Sequence, residues 1–410
     1  MISDLIKESH KYANAILIDF GTLYAKVSVL FNGEVSDDLF FVRNELYYLS
    51  EERLNYLSQL LEGTTDLKPG YFTYREITTK ALLFQVEEKY VQTNAVPTSV
   101  DLLAKAYRNI CEHIEDQFNL PMKVVDNYRN WAVVTAVAAF ETAEARSTVE
   151  EIHIKACMQL GFQAVYINNQ LLFDYFSQLN YLKNLNIEGY CTIVNIGGGD
   201  TEVAIVSGLP NPSTFRRFPI AGQDIFKYIH NALREQYRLT GVVGEKIEEW
   251  LAEGGTVLGD APSTIKSWKR REIDIQPFLN APEMLFDYSK YYGIDRVYNS
   301  VTEVIIASID SLIMQTETNI GLILSAIVIV GGAVKFRGMT DRIEKELKDY
   351  YPEYTDQINV ISGEDPQFSG INGIRALVKL KYRDEGLMFT ILPEPEFEEK
   401  LEWQIPENYE

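Results

Sequence analysis

Two stretches of the chain alternate apolar and polar positions in the same way. Ala15-Ile-Leu-Ile-Asp-Phe-Gly-Thr-Leu-Tyr-Ala-Lys-Val-Ser-Val-Leu-Phe31 reads as a strand, a tight glycine turn and a second strand. Tyr190-Cys-Thr-Ile-Val-Asn-Ile-Gly-Gly-Gly-Asp-Thr-Glu-Val-Ala-Ile-Val-Ser-Gly208 repeats that form. Taking Asp19 and Asn195 as equivalents, the copies lie 195 − 19 = 176 residues apart. One hairpin that twice opens a long segment predicts two related α/β domains.

The remaining pattern predicts mostly helices. Val100 to Phe118 places Leu102, Leu103, Ala106, Ile110, Ile114 and Phe118 at helical spacing. Trp131 to Phe140 is an apolar run of buried-strand character. Glu150 to Leu160 reads as a helix capped by Gly161, and Asn168 to Leu179 as another. Helices are expected over Asp224 to Arg238, Gly244 to Glu253, Arg296 to Thr316 and Gly338 to Tyr350, with a strand at Ala326 to Val330. Asp37 to Tyr90 is polar, aromatic and poorly periodic, with Leu54 to Leu61 its clearest helical piece. We take about 32–97 as an insertion on the first domain. The stretch from Asp384 holds nine acidic residues, one Lys and Pro393, Pro395 and Pro406, and predicts a solvated irregular tail.

Composition narrows the classes. With 410 residues, 38 Lys+Arg and 59 Asp+Glu, the formal charge is −21. That excess opposes a broad nucleic-acid or anionic-lipid surface, but not one small anion held by backbone N–H groups. The apolar run Ile320 to Val334 is too short for a span of about 20 residues. Met1 to Ala15 has no apolar core followed by a small-residue cleavage site, so no secretory leader is expected. Cys111, Cys157 and Cys191 are widely spaced and read as buried thiols, and the four His show no ligand spacing. The expectation is a cytoplasmic protein with no transmembrane segment, no structural metal and no direct nucleic-acid partner.

Three glycine turns follow apolar strands: Asp19-Phe-Gly-Thr22, Gly197-Gly-Gly-Asp200 and Gly331-Gly-Ala333. Such turns let phosphate oxygens approach the backbone. Singly, each is ordinary turn chemistry; three in one chain, two of them in matching hairpins, point to a polyphosphate ligand. No Gly-Lys-Ser/Thr loop occurs and no GxGxxG opens a helix.

On these residues the chain resembles the actin, sugar-kinase and heat-shock-chaperone ATPase superfamily. Asp19-Phe-Gly-Thr-Leu-Tyr-Ala-Lys26 is similar to its first phosphate motif, and Asn195 to Ile205 to its second, in the form seen in bacterial actins. Ile327 to Leu347 is similar to the adenosine motif. Phe218 to Ile229 and Pro366 to Leu377 resemble actin segments, and the general layout resembles archaeal actins of the crenactin type. The match spans most of the chain outside Asn32 to about Pro97. The resemblance implies two RNase H-like domains, 1–189 with 364–410 and 190–363, flanking a nucleotide cleft.

It also implies roles. Asp19 would hold magnesium through water. Gly21, Thr22 and Leu23 would offer N–H groups to ATP or ADP, beside Lys26. Gly197, Gly198, Gly199 and Asp200 would act likewise in the second motif. Gly222 matches a ribose-side glycine, and Glu248 and Glu249 a helix near ribose and base. Gly331, Gly332 and Ala333, with Lys335 or Phe336, would cover the adenosine. Lys26 and the two Glu also read as surface charges, and Phe336 as core.

The chain departs from the family where the chemistry is done. Asn195 replaces the usual carboxylate, while Glu202 supplies an acid seven residues on that alternation could aim at the same cavity. The water-positioning place falls on Asn169 or Gln170. The leading expectation is a filament-forming ATPase with slow hydrolysis coupled to polymerisation, self-association and adaptor proteins. The alternative is a non-polymerising actin-related scaffold subunit, to which Asn195 and the aromatic insertion (Tyr71, Phe72, Tyr74, Phe84, Tyr90) incline. A small-molecule kinase of the same superfamily is a third reading, without a clear acid for a second substrate.

Overall fold

The computed structural model describes residues 5–22, 24–43, 46–49, 70–73, 87–89, 99–118, 120, 123–138, 142–187, 189–238, 244–268, 270–293, 296–317, 319–383 and 386–393. Leu23, the Leu54–Leu61 segment, Tyr74, Phe84 and Tyr90 lie outside them.

In chain order come strands β1 (Lys7–His10), β2 (Ala15–Phe20), β3 (Tyr24–Phe31), β4 (Glu34–Val35), β5 (Phe40–Arg43), β6 (Leu46–Leu49), β7 (Gly70–Phe72) and β8 (Glu87–Lys89). Next are α1 (Val100–Phe118), β9 (Ala132–Val137), α2 (Ala143–Leu160), β10 (Ala164–Asn169) and α3 (Gln170–Asn184). Then follow β11 (Cys191–Ile196), β12 (Thr201–Ser207), β13 (Leu209–Pro210), β14 (Arg216–Phe218), α4 (Gly222–Tyr237) and α5 (Gly244–Gly254). The last group is β15 (Ile265–Trp268), β16 (Arg271–Asp274), α6 (Val301–Ile313), β17 (Ile327–Val330), α7 (Met339–Tyr350), β18 (Val360–Ser362), α8 (Ser369–Arg383) and β19 (Leu387–Ile391). The fold is mixed α/β. By packing it forms two compact units, residues 1–135, 147–167 and 378–410, and residues 136–146 and 168–377.

The first unit is built on a sheet ordered β1-β19-β10-β9-β2-β3-β4, with β5 also on β3. Its core lies between β2, β3 and β9 and helices α1 and α2: Ile16, Ile18, Val27, Tyr107, Ile110, Trp131 and Phe162 are all fully or nearly fully buried. β4 and β5 fall inside the expected insertion, yet both pair with β3, because Phe40-Phe41-Val42 alternates well enough to extend the sheet. β6, β7 and β8 form a separate three-stranded sheet.

One expectation is overturned here. The acidic stretch after Asp384 does not begin as an irregular tail, since Leu387–Ile391 is a strand paired antiparallel with both β1 and β10. Leu387 and Phe389 alternate inward and Leu392 follows them into the core. That period-two signal is short and is outweighed in composition by the acids around it. The rest of the expected tail, 394–410, lies outside the described residues.

The second unit is a sheet ordered β13-β12-β11-β17-β18, with β14 on β12. β11, β17 and β18 run parallel, and β12 runs antiparallel to β11. Phe218, Ile225, Ile229, Trp250, Phe278, Ile305 and Ile329 share one core. A smaller core, with Leu171, Leu182, Ile193, Ala204 and Val328, lies under α3. Helix ends differ from expectation where caps override periodicity. α6 is shorter than the Arg296–Thr316 pattern because the Ser300 hydroxyl accepts from the Glu303 N–H and starts the helix there. α2 begins earlier than Glu150, where the Thr142 hydroxyl accepts from the Ala145 N–H. α8 crosses α3 closely: a Cβ on Gly373 would run into the Phe173 carbonyl, so only glycine fits there.

Candidate functional site

The first hairpin places Asp19 opposite Lys26 in the β2–β3 register. Cross-strand partners share a sheet face, so the seven-residue spacing becomes a contact. The Lys26 ammonium donates to Asp19 Oδ2 at 2.7 Å, with side-chain exposure of 22% and 3% respectively. Gly21 opens the turn, its N–H donating to the Asp19 carbonyl, and Thr22 beside it is buried. Asp19 is thus a buried carboxylate held by one cation, at the mouth of a glycine turn.

The second hairpin has the same register. Asn195 stands opposite Glu202 as Asp19 stands opposite Lys26, and four residues, Gly197 to Asp200, join the last pair, Ile196 and Thr201. In the first hairpin four residues, Gly21 to Tyr24, join Phe20 and Ala25. Glu202 is 3% exposed and lies in register between Asn195 on β11 and Arg217 on β14. Arg217 is ion-paired with Asp200. Loss of water raises the Asp200 carboxyl above its usual range, with the Arg217 guanidinium pulling the other way.

The turn itself is pinned. The Gly197 N–H donates to the Asp200 carbonyl at 3.0 Å. The first two N–H groups of α4, from Gly222 and Gln223, donate to the Gly197 and Gly198 carbonyls. Among the described residues, no intramolecular hydrogen bond engages the N–H groups of Gly198 or Gly199. Within this turn those two are the donors suited to a phosphate.

The parallel register brings the third glycine turn alongside. Val330 pairs with Asn195, so Gly331 leaves β17 beside the end of β11, at the carboxyl ends of the parallel strands, where open α/β sheets bind ligands. Gly331 has φ 96°, and a Cβ there would collide with the Ile196 carbonyl oxygen and stand 2.8 Å from Asn195 Oδ1. Ala333 is buried, while Gly332 and Lys335 are exposed. Phe336 is half-buried against the core and packs over Gly255, just beyond the end of α5. On α5, Glu249 is exposed and paired with Lys246, and Glu248 is half-buried.

The two candidates for positioning water have different surroundings. Asn169 caps α3, its Oδ1 accepting from the Leu172 N–H at 2.8 Å. The Gln170 amide donates to Asp174 Oδ1 at 3.2 Å. Asp174, with no exposed surface, also accepts from the Asn195 amide at 2.6 Å through Oδ2. Sequence reasoning passed over Asp174. The one trace of it is an acid inside the apolar run Leu171-Leu172-Phe173-Asp174-Tyr175-Phe176.

Taken separately, the first unit offers a carboxylate and a Lys, and the second offers amide oxygens and turn N–H groups, each of a kind that suits a phosphate or a hard cation. Among the described residues, no cluster of His, Cys, Asp and Glu forms a protein-only metal cage. No helix among them is long and apolar enough to cross a membrane.

Part of the chain is similar to known proteins. Residues 272–377 match the actin family model, a segment that includes the Gly331–Ala333 turn. Over 207 residues the chain is 25% identical to an actin-like protein of Neurospora crassa, covering 44% of this chain and 53% of that relative. It therefore spans about half the length of the curated relative it matches. The mixed α/β fold is consistent with that of the actin-like ATPases, and the segment that matches the actin model lies within the second unit.

Proposed function

We propose that this chain is an ATP-binding, filament-forming, actin-like cytoskeletal protein of the cytoplasm, using magnesium and hydrolysing ATP slowly as it polymerises. The observation that carries the reading is the repeated hairpin: a polar residue two before a glycine turn, a charged residue directly opposite it, and four connecting residues in each copy. Asp19, with Lys26, is the proposed magnesium and phosphate group of the first unit. Asn195, Gly198 and Gly199 are those of the second, with Gly331 to Ala333 for the adenosine. When bound, magnesium would neutralise phosphate charge and orient water. This chain's own residues then hold that water with amide oxygens rather than abstract its proton with a strong base, because Asn195 is not ionisable. Slow turnover follows. Adaptor proteins would link the filaments to their cellular task.

The test is sedimentation of the purified chain with and without ATP and magnesium, with negative-stain images of the pellet. Filaments that appear only with nucleotide are expected. A chain that stays monomeric across salt and nucleotide conditions overturns the polymerising part of the proposal.

A further inference from the structure

The buried carboxylate of Asp174 touches the two amides that matter most to this site, and its chemistry dictates how they face. Both oxygens of the Asp174 side chain act as acceptors, Oδ1 and Oδ2 each taking one amide. Asn195 must therefore offer it the NH2 end, 2.6 Å away, and Gln170 must do likewise at 3.2 Å. The Asn195 carbonyl end is then turned to the corner between two glycine turns. Asn195 Oδ1 lies 2.8 Å from where a Cβ on Gly331 would stand and 3.6 Å from that of Gly197. The backbone of Asp174 is fixed in the helix, where the Ser177 hydroxyl donates to its main-chain carbonyl at 2.7 Å. It stands on α3, which Asn169 caps.

We propose that Asp174 is the positioning residue of this site: it locks the Asn195 and Gln170 amides so that their oxygens serve the ligand's magnesium-bound or attacking water. It also keeps beside position 195 the carboxyl group that Asn195 lacks. The inference rests on the nucleotide reading of the site, but its geometry stands within the second unit alone. An asparagine at 174 has one accepting and one donating end, so it satisfies only one of the two amides as they stand. The other must turn around. Exchanging the pair, Asp174→Asn together with Asn195→Asp, restores the pattern. The carboxylate, now at position 195, accepts from the amide at position 174, whose oxygen still accepts from Gln170.

The test uses the full chain with Asp174→Asn, Asn195→Asp and the double exchange. The readouts are kcat and KM for phosphate release from ATP in magnesium, and melting of the nucleotide-free protein. Asp174→Asn is expected to lower kcat on the order of 10- to 100-fold with KM little changed. Asn195→Asp, which sets two carboxylates against each other, is expected to melt lower at pH 7 than at pH 5 relative to wild type. The double exchange should recover both kcat and melting. Wild-type kcat in Asp174→Asn, or a double variant no better than the worse single, overturns the proposal. If the wild-type chain releases no phosphate, the proposed function falls, and the nucleotide-free melting series then decides about Asp174. Compensating shifts support the lock, and additive shifts overturn it.

Discussion

Asp19 and Lys26 show how one pair can serve stability and ligand at once. A carboxylate 3% exposed needs a compensating charge, and Lys26 is the cation found against it. Lys26→Met leaves that carboxylate buried without its partner, and denaturant unfolding should show a loss of about 1–3 kcal/mol. Adding Asp19→Asn should recover part of it, while neither variant should bind nucleotide as the wild type does. His153 makes the opposite case. It is buried in the first unit, its Nδ1 2.7 Å from the Tyr107 hydroxyl and its ring edge-on to Phe20, and burial lowers its pKa to about 3. The unfolded chain takes up that proton near pH 6.5, so between pH 6.5 and 3 the unfolded state binds more protons. Protonation of His153 therefore costs no stability above about pH 6.5. As the pH falls it destabilises the fold by up to about 1.4 kcal/mol per unit. His153→Gln, which keeps a partner for Tyr107, should flatten the acid limb of the stability–pH curve; an unchanged slope contradicts the assignment.

At the scale of elements, the hairpins were legible because strict alternation and glycine turns are local signals. Val100–Phe118 emerges with the bounds its periodicity predicts, and β2, β3, β11 and β12 lie where the alternation puts them. Elements set by distant partners were not legible. β1 and β19 are four and five residues long; β1 is a strand through its pairing with β19, and β19 through pairing with β1 and β10. The Asn195–Asp174 contact joins residues 21 apart through the packing of α3 on β11, which no local pattern reveals. The adenosine-side turn depends on one backbone conformation. Gly331→Ala forces a side chain into φ 96° and against the Ile196 carbonyl. Thermal or denaturant unfolding should show a loss on the order of 3 kcal/mol. Wild-type stability in that variant contradicts the close approach of β17's exit to β11.

For the whole molecule, the charge of −21 has a narrower meaning than a veto on nucleic acid. The candidate anion contacts are backbone N–H groups, one Lys and helix-pinned turns, none of which needs a basic surface. Nine of the acids lie from Asp384 onward, after the last helix, so much of the excess sits in one stretch of chain. By packing, the second unit takes in Asn168 to Leu377, because α3 lies on β11. The segment that matches the actin model and the glycine-bearing strand ends therefore belong to one unit, while the Asp19 hairpin belongs to the other. Every functional step proposed above depends on these motifs binding nucleotide. The most direct measurement is an equilibrium titration of the purified full chain with ATP, with and without magnesium. Saturable binding that weakens when magnesium is chelated is the predicted result. No saturable binding at millimolar ATP would contradict the account.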